Sequence, residues 1–292
     1  MNLPDVFAVV PAARSRLDLA LTEQGISRRA ARRLINDRCV LVNGKPVAVA
    51  SRTVGPGDTL LAATTPVEPD VLSMSPDLIA VDKPSGIPTQ PARDRTRVSL
   101  LDLITLYLAQ TENLSELFLV HRLDTGTSGV VMFGRTREFT TTLSQALALG
   151  MVEKRYVALI HGRLEQVLSL DAPIGRESGS RFAPAAGGRA ASTTVRPLVA
   201  SERYTFAEAH IITGRTHQIR VHLAEAGFPV AGDRKYGAPV SASPFRRLML
   251  HAWSFSHSLT GTVTAALPED FSLAVASAGL PDPERLLPPS EF

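Results

Sequence analysis

The chain has 292 residues, 44% of them hydrophobic, a single cysteine, and a formal net charge of +3 from 31 basic and 28 acidic residues. That length suits one large or two modest domains with a buried core. One cysteine excludes an intramolecular disulfide and any multi-cysteine metal site, and it favours a reducing compartment over a secreted digestive enzyme.

The start, "MNLPDVFAVVPAARSR", has no basic segment before its short apolar run, and no uninterrupted run of about eighteen apolar residues occurs anywhere. The expectation is a cytoplasmic protein with no membrane partner. Cys39 is expected to be a small buried apolar side chain rather than a nucleophile. Charge distribution says more than net charge. Between Arg14 and Pro46 stand eight basic residues (Arg14, Arg16, Arg28, Arg29, Arg32, Arg33, Arg38, Lys45) against three acidic ones (Asp18, Glu23, Asp37).

In chain order, Leu17, Ala20 and Leu21 have helical spacing, and Gly25 suits the stop of that helix. Ser27 can cap a second helix, in which Ala31, Leu34 and Ile35 form the inward stripe. Arg28/Arg32 and Arg29/Arg33 are i,i+4 pairs that bring four guanidinium groups onto neighbouring outward faces. Such a face is ordinarily just solvated. Here acidic residues that could offset it are nearly absent from that helix before Asp37, so a polyanion is the expected counter-charge. Asn43-Gly44 between apolar residues signals a tight hairpin. "AATTPVEPDVLSMSP" has three prolines and little periodicity, and reads as a linker.

From about Leu78 the pattern is richer in strands. "LIAVDKP" is a short apolar strand ended by Lys83-Pro84, and "ELFLV" and "GVVMFG" flank the loop "VHRLDTGTSGVV". "REFTTTLSQALALG" places Phe139, Leu143, Ala146 and Leu147 on one helical face, with Gly150 as its stop. "KRYVALIHG" and "YTFAEAHIITG" read as strands. Thr216 to Ala226 reads as a helix with His217, Arg220 and Ala224 on one face and Ile219, Leu223 and Ala226 on the buried one. Strands dominate and helices are separate insertions, so the fold class is α+β.

The loop contains Asp124-Thr125-Gly126-Thr127-Ser128, the letters of an aspartic-protease active site. That chemistry needs two carboxylates sharing one proton, and the chain supplies one Asp-Thr-Gly preceded by His121-Arg122 instead of an apolar strand. A dinucleotide fingerprint fails on glycine spacing. His217/His222 and His251/His257 have the wrong spacing for a zinc-binding helix. Ser128 lacks a Gly-x-Ser-x-Gly elbow.

Two stretches carry resemblances. "SRRAARRLI…V.VNGKPV…..V.PGD", with the elements around it, resembles the S-four-type RNA-binding domain over about residues 14–62, although Asp37-Arg38-Cys39 stand where small residues or glycine are more usual. "HRLDTGTSG" resembles the signature of the RluA-type pseudouridine synthases. "LIAVDKPSGIPTQP", "VEKRYVALIHG", "GRTHQIRVHLAEAGFPVAGDRKYG", "LMLHAWSFSH" and "LPEDF" are similar to that family's other segments, in order, over about Leu72 to Phe271.

The resemblance implies an enzyme that isomerises uridine within RNA, with no metal and no cofactor. It implies a mixed or antiparallel sheet in the catalytic domain, residues 77–292, joined through a linker, residues 63–76, to the N-terminal module. Asp124 carries over as the catalytic carboxylate, either attacking C1′ or removing a sugar proton. Arg220 is implied as the cation that keeps it ionised, and Tyr156 as the aromatic that stacks on the uracil. Arg122 is implied as the wedge that enters the RNA stack when the target base leaves. His121 has two readings, a contact to the RNA backbone or a hydrogen-bonded buried histidine. Arg28, Arg29, Arg32, Arg33 and Lys45 are the expected phosphate contacts of the N-terminal module. The partner expected is RNA, ribosomal above all, bound by a monomer.

Overall fold

The computed structural model describes residues 5–92, 97–112, 116–237 and 244–287. The chain divides into two compact units. One takes in Met1–Val81, Ile87–Arg122 and Met132–Thr140, and the other Asp82–Gly86, Leu123–Val131 and Thr141–Phe292. Among the described residues no helix is long and apolar enough to cross a membrane.

The first unit begins with an antiparallel sheet in the order Val6–Val9, Leu60–Ala63, Val40–Val42, Lys45–Pro46. Helix Leu17–Ala20 tightens into a 3-10 turn, Leu21–Gln24, and ends at Gly25, whose φ of 81° makes it the left-handed stop its sequence position calls for. Ser27 caps helix Arg28–Asn36 by accepting the Ala30 N–H at 3.2 Å. Leu17, Leu21, Ala31, Ile35, Val40, Val42 and Leu60 close the core, and Leu34 is only partly buried against it. Each fully buried Leu or Ile there contributes about 1.5–3 kcal/mol. Asn43 and Gly44 have φ of 53° and 76°, the backbone of a two-residue I′ hairpin. The Asn43 amide also donates to Asp58 at 2.8 Å and accepts the Thr59 N–H at 2.9 Å.

Two expectations change here, at Cys39 and in the proline-rich stretch, and the backbone at Arg38 gives the departure noted there its physical form. Arg38 takes a left-handed φ of 58° just past the helix, the position where glycine would cost nothing. Cys39 is half-buried rather than buried, its thiol against the Asp37 carbonyl and accepting from the Gln110 amide, each at 3.5 Å. The proline-rich stretch read as a linker contains strand Val71–Met74, which pairs antiparallel with Leu78–Lys83. That strand is short, lies at a sheet edge and is at most half-buried, so it leaves no period-two pattern to read. The unit also holds helix Leu100–Thr111, opened by a Ser99/Asp102 capping box. Strand Phe118–Leu119 pairs with the end of Ser128–Gly134.

The second unit is built on an antiparallel run ordered Leu168–Leu170, Thr193–Ala200, Tyr204–Ile211, Glu153–His161, Leu250–His257. Gly261–Thr264 pairs antiparallel with Leu250–His257, and the start of Ser128–Gly134 pairs with it in parallel. The sheet is therefore mixed, and with helices Gln218–Glu225 and Glu269–Ser277 outside it the class is α+β. Val157, Leu159, Phe206, Trp253, Phe271 and Val275 form its core. Leu143 and Ala146 are the buried residues of helix Arg137–Ala148, with Phe139 and Leu147 only half-buried.

Candidate active site

The loop that carries Asp124 is pinned from two sides within the second unit. Thr127 N–H donates to the Asp124 carbonyl at 3.1 Å, Gly86 N–H to the Thr125 carbonyl at 2.8 Å, and the Ser85 hydroxyl to the Gly126 carbonyl at 2.7 Å. The Lys83 ammonium, fully buried, reaches the Pro84 carbonyl at 3.0 Å and that of Thr125 at 3.3 Å. Burial pushes its pKa down to about 7, with Asp124 the main group pulling the other way. After the loop, Gly129 has φ of 112°, and a Cβ there would lie 2.2 Å from the Ala252 carbonyl oxygen. Only glycine lets Ser128–Gly134 approach Leu250–His257 this closely.

Arg220 reaches this loop from helix Gln218–Glu225. Its Nη1 donates to Asp124 Oδ2 at 2.8 Å, while Nε and Nη2 form a fork to the two oxygens of Asp233 at 2.8 and 2.9 Å. Asp233 is buried and also accepts the backbone N–H groups of Lys235 and Tyr236 at 2.9 and 3.1 Å. The guanidinium lies 5.1 Å from the centre of the Tyr236 ring. Burial works against the arginine's charge, but Asp233 and Asp124 outweigh it and raise its pKa. One fixed cation thus joins two carboxylates. Asp233 has its acceptor sites filled, which leaves no proton-sharing pair of the protease kind.

The expected helix from Thr216 is shorter by two residues at its start. Gln218 opens it, and His217 sits outside in the left-handed region with φ of 59°. Conformations of this kind cost about 1–3 kcal/mol and concentrate at functional sites. Contacts hold it there: Nδ1 lies 2.7 Å from the Tyr236 hydroxyl, and the ring packs edge-on against Phe182 and Tyr236. The Tyr236 hydroxyl accepts the Phe182 N–H at 3.0 Å, so its own proton is free to go to Nδ1. The neutral ring then carries its proton on Nε2, 3.9 Å from Asp124 Oδ2. Burial pushes the His217 pKa down to about 4, against the pull of Asp124.

Tyr156 lies on strand Glu153–His161, 8% exposed. Pairing with Leu250–His257 slips between Arg155, opposite Ser254, and Val157, opposite His251. Two residues of the partner strand therefore face Tyr156, a bulge of the sort that re-aims a side chain beside a site. Burial first, and then the Asp124 charge, raise the phenol pKa, so the ring is neutral. Asp124, Arg220 and Tyr156, singled out in the sequence, thus belong to one electrostatically linked group.

The other sequence candidates lie in the first unit. His121 Nε2 accepts the Met132 N–H at 3.2 Å, which favours the second of its two readings, and Arg122 is exposed. The basic helix differs from expectation. Arg28 and Arg32 both donate to Asp18, at 3.1 and 2.9 Å, because the preceding helical turn packs against theirs. An offsetting acid therefore exists, ten and fourteen residues upstream in sequence. Arg33 pairs with Asp37 at 3.4 Å, and Arg29 and Lys45 are exposed. Sequence reasoning missed Asp233, His217, Tyr236 and Lys83 as site residues. One signal for Asp233 was present: it is the sole acidic residue between Glu225 and Glu269, in a chain whose Arg220 needs a buried counter-charge.

The description "RNA pseudouridylate synthase" matches residues 77–225, and "S4 domain" matches residues 15–60. The uncharacterized RNA pseudouridine synthase YlyB of Bacillus subtilis is 32% identical over 295 residues, covering 93% of this chain and 97% of its own. The ribosomal large subunit pseudouridine synthase D of Nitrosomonas europaea is 32% identical over 284 residues, 88% of this chain and 82% of its own. The structure of human RNA Pseudouridylate Synthase Domain Containing 4 has the same fold, with a TM-score of 0.62 at 21% identity over 72% of this chain and 92% of that one. A carboxylate held by a fixed arginine, on a loop and sheet matched along nearly the whole chain, places the protein in the RNA pseudouridylate synthase family, with an S4 domain ahead of an enzyme that isomerises uridine in RNA to pseudouridine.

Proposed function

We propose that the substrate is structured ribosomal RNA of the large subunit, and that Asp124, Arg220 and Tyr156 carry the reaction. The observation that supports this most is the Asp124 carboxylate at 2.8 Å from an arginine that Asp233 holds from behind. The isomerisation breaks the N1–C1′ bond, turns the uracil, joins C5 to C1′, loses the C5 proton and gains one at N1. No oxidant or reductant enters. Asp124 acts at the sugar, as nucleophile at C1′ or as base, and Arg220 supplies the fixed charge that faces the carboxylate before that step and again once the carboxylate is released. Tyr156, a neutral phenol, offers its ring as the stacking surface for the base.

The S4 domain adds affinity through phosphate contacts, and Arg122 fills the stack that the flipped uridine leaves. The enzyme works as a monomer in the cytoplasm, with residues 14–62 binding RNA and 77–292 catalysing. A non-catalytic RNA-binding role is disfavoured because binding alone gives no use for a carboxylate, its arginine and a second buried aspartate together. Mapping pseudouridines in RNA from cells lacking the protein tests the substrate. Loss of a few large-subunit ribosomal positions, restored by wild type and not by Asp124→Asn, supports the proposal. Loss confined to transfer RNA would refute the ribosomal assignment.

A further inference from the structure

Removing the buried acid Asp18 should weaken RNA binding, although plain charge counting says the opposite. Asp18 is fully buried and accepts four hydrogen bonds. Arg16 contributes Nε at 2.9 Å and Nη2 at 3.2 Å, Arg28 its Nε at 3.1 Å and Arg32 its Nε at 2.9 Å. Oδ2 alone takes three of them. The bond from Arg16, and after it those from Arg32 and Arg28, hold the carboxyl well below the usual range despite burial. The three guanidinium groups come from two different segments, one before the first helix and one on the basic helix.

The arginines stay half in water: their side chains are 42%, 50% and 49% exposed. Arg28 and Arg32 each spend only Nε on Asp18, and among the described residues nothing takes their Nη groups. The cluster therefore keeps a net charge of two and leaves N–H donors on half-exposed side chains. Unpaired arginine side chains carry about 2 kcal/mol of rotamer entropy each, much of it lost on binding an anion. Anchoring Nε in the fold removes part of that loss in advance.

We propose that Asp18 is a positioning residue that gathers Arg16, Arg28 and Arg32 into a preformed receptor for RNA phosphodiester groups. The claim rests on the reading of the S4 domain as the RNA-binding module, and it adds which residue organises that module. It distinguishes this cluster from Arg29 and Arg33, which contribute charge without an anchor in the core.

The test uses the full-length protein and a structured large-subunit RNA transcript, with Kd measured over a series of KCl concentrations for wild type, Asp18→Asn and Arg28→Gln/Arg32→Gln. Asp18→Asn preserves shape and removes one negative charge, so charge counting predicts tighter binding. Positioning predicts binding weaker by about fivefold or more, with a log Kd–log salt slope shallower by about one to two phosphate contacts. Thermal melting accompanies each variant. If Asp18→Asn does not fold, the double arginine variant decides, because Arg16 still gives the buried Asp18 two of its four hydrogen bonds: a loss of about tenfold with the same shallower slope supports the receptor. Unchanged or tighter binding by folded Asp18→Asn, or wild-type affinity in the arginine variant, overturns it. Failure of the wild type to bind the transcript overturns the RNA reading itself, a different result from either.

Discussion

Replacing Asp233 by asparagine changes one atom and tests whether Arg220 is held from behind. Oδ1 of Asp233 accepts from Arg220 Nη2, Lys235 N and Tyr236 N, whereas among the described residues Oδ2 accepts only from Arg220 Nε, at 2.8 Å. The amide oxygen will therefore keep the Oδ1 place with its three donors, and the amide NH2 will face the Nε–H, donor against donor. One charge-assisted bond is lost, and the negative charge that offsets the buried Arg220 goes with it. Breaking a buried pair by removing one partner costs about 3–5 kcal/mol, and the three retained bonds put this case near 3. Urea unfolding should show that loss at unchanged m-value, and turnover, followed by release of tritium from C5 of labelled uridine in a transcript, should fall with it. A double-mutant cycle with Arg220→Ala should give a coupling of about 2–3 kcal/mol. An additive cycle, or Asp233→Asn within about 0.5 kcal/mol of wild type, would refute the idea that Asp233 fixes the arginine.

Gly129→Ala should destabilise by about 3 kcal/mol or more, since the added Cβ meets Ala252 backbone atoms at 2.2 and 2.7 Å where no side chain can yield; a variant with wild-type urea midpoint and turnover would show that the strands can part freely. His251, buried with Nδ1 at 2.9 Å from the Ser128 hydroxyl, has its pKa pushed down by burial to about 4. Its folded value lies below the unfolded one of about 6.5, so between them the unfolded chain binds more protons: its contribution is full above about pH 6.5 and lost as pH falls towards 4, about 3 kcal/mol in all. His251→Gln should flatten the stability profile across that window, and identical profiles for the two proteins would contradict the assignment.

Local chemistry was readable from the sequence wherever neighbours along the chain decide it. The Gly25 stop, the Ser27 cap, the Asn43-Gly44 hairpin and the strands around Tyr156 and Tyr204 all depend on short-range sterics and periodicity. Features set by distant partners were not. Asp18 pairs with arginines ten and fourteen residues away because two helical turns pack together. His217 leaves the helical region because Tyr236, nineteen residues on, takes its Nδ1. The bulge opposite Tyr156 belongs to the partner strand, a century of residues later in the chain, and periodicity within Glu153–His161 carries no trace of it. At the site itself, Asp124, Tyr156 and Arg220 came from motif resemblance. Asp233 could have come from electrostatics alone, had the burial of Arg220 been known.

The central claim is that Asp124 does the chemistry and that the remaining groups hold it ready. Single-turnover pseudouridine formation on a large-subunit transcript, with wild type and Asp124→Asn at equal RNA occupancy, tests this most directly. The account predicts that the variant folds, binds the transcript with affinity close to wild type, and forms no detectable pseudouridine. Substantial turnover by the folded, RNA-bound variant would contradict it.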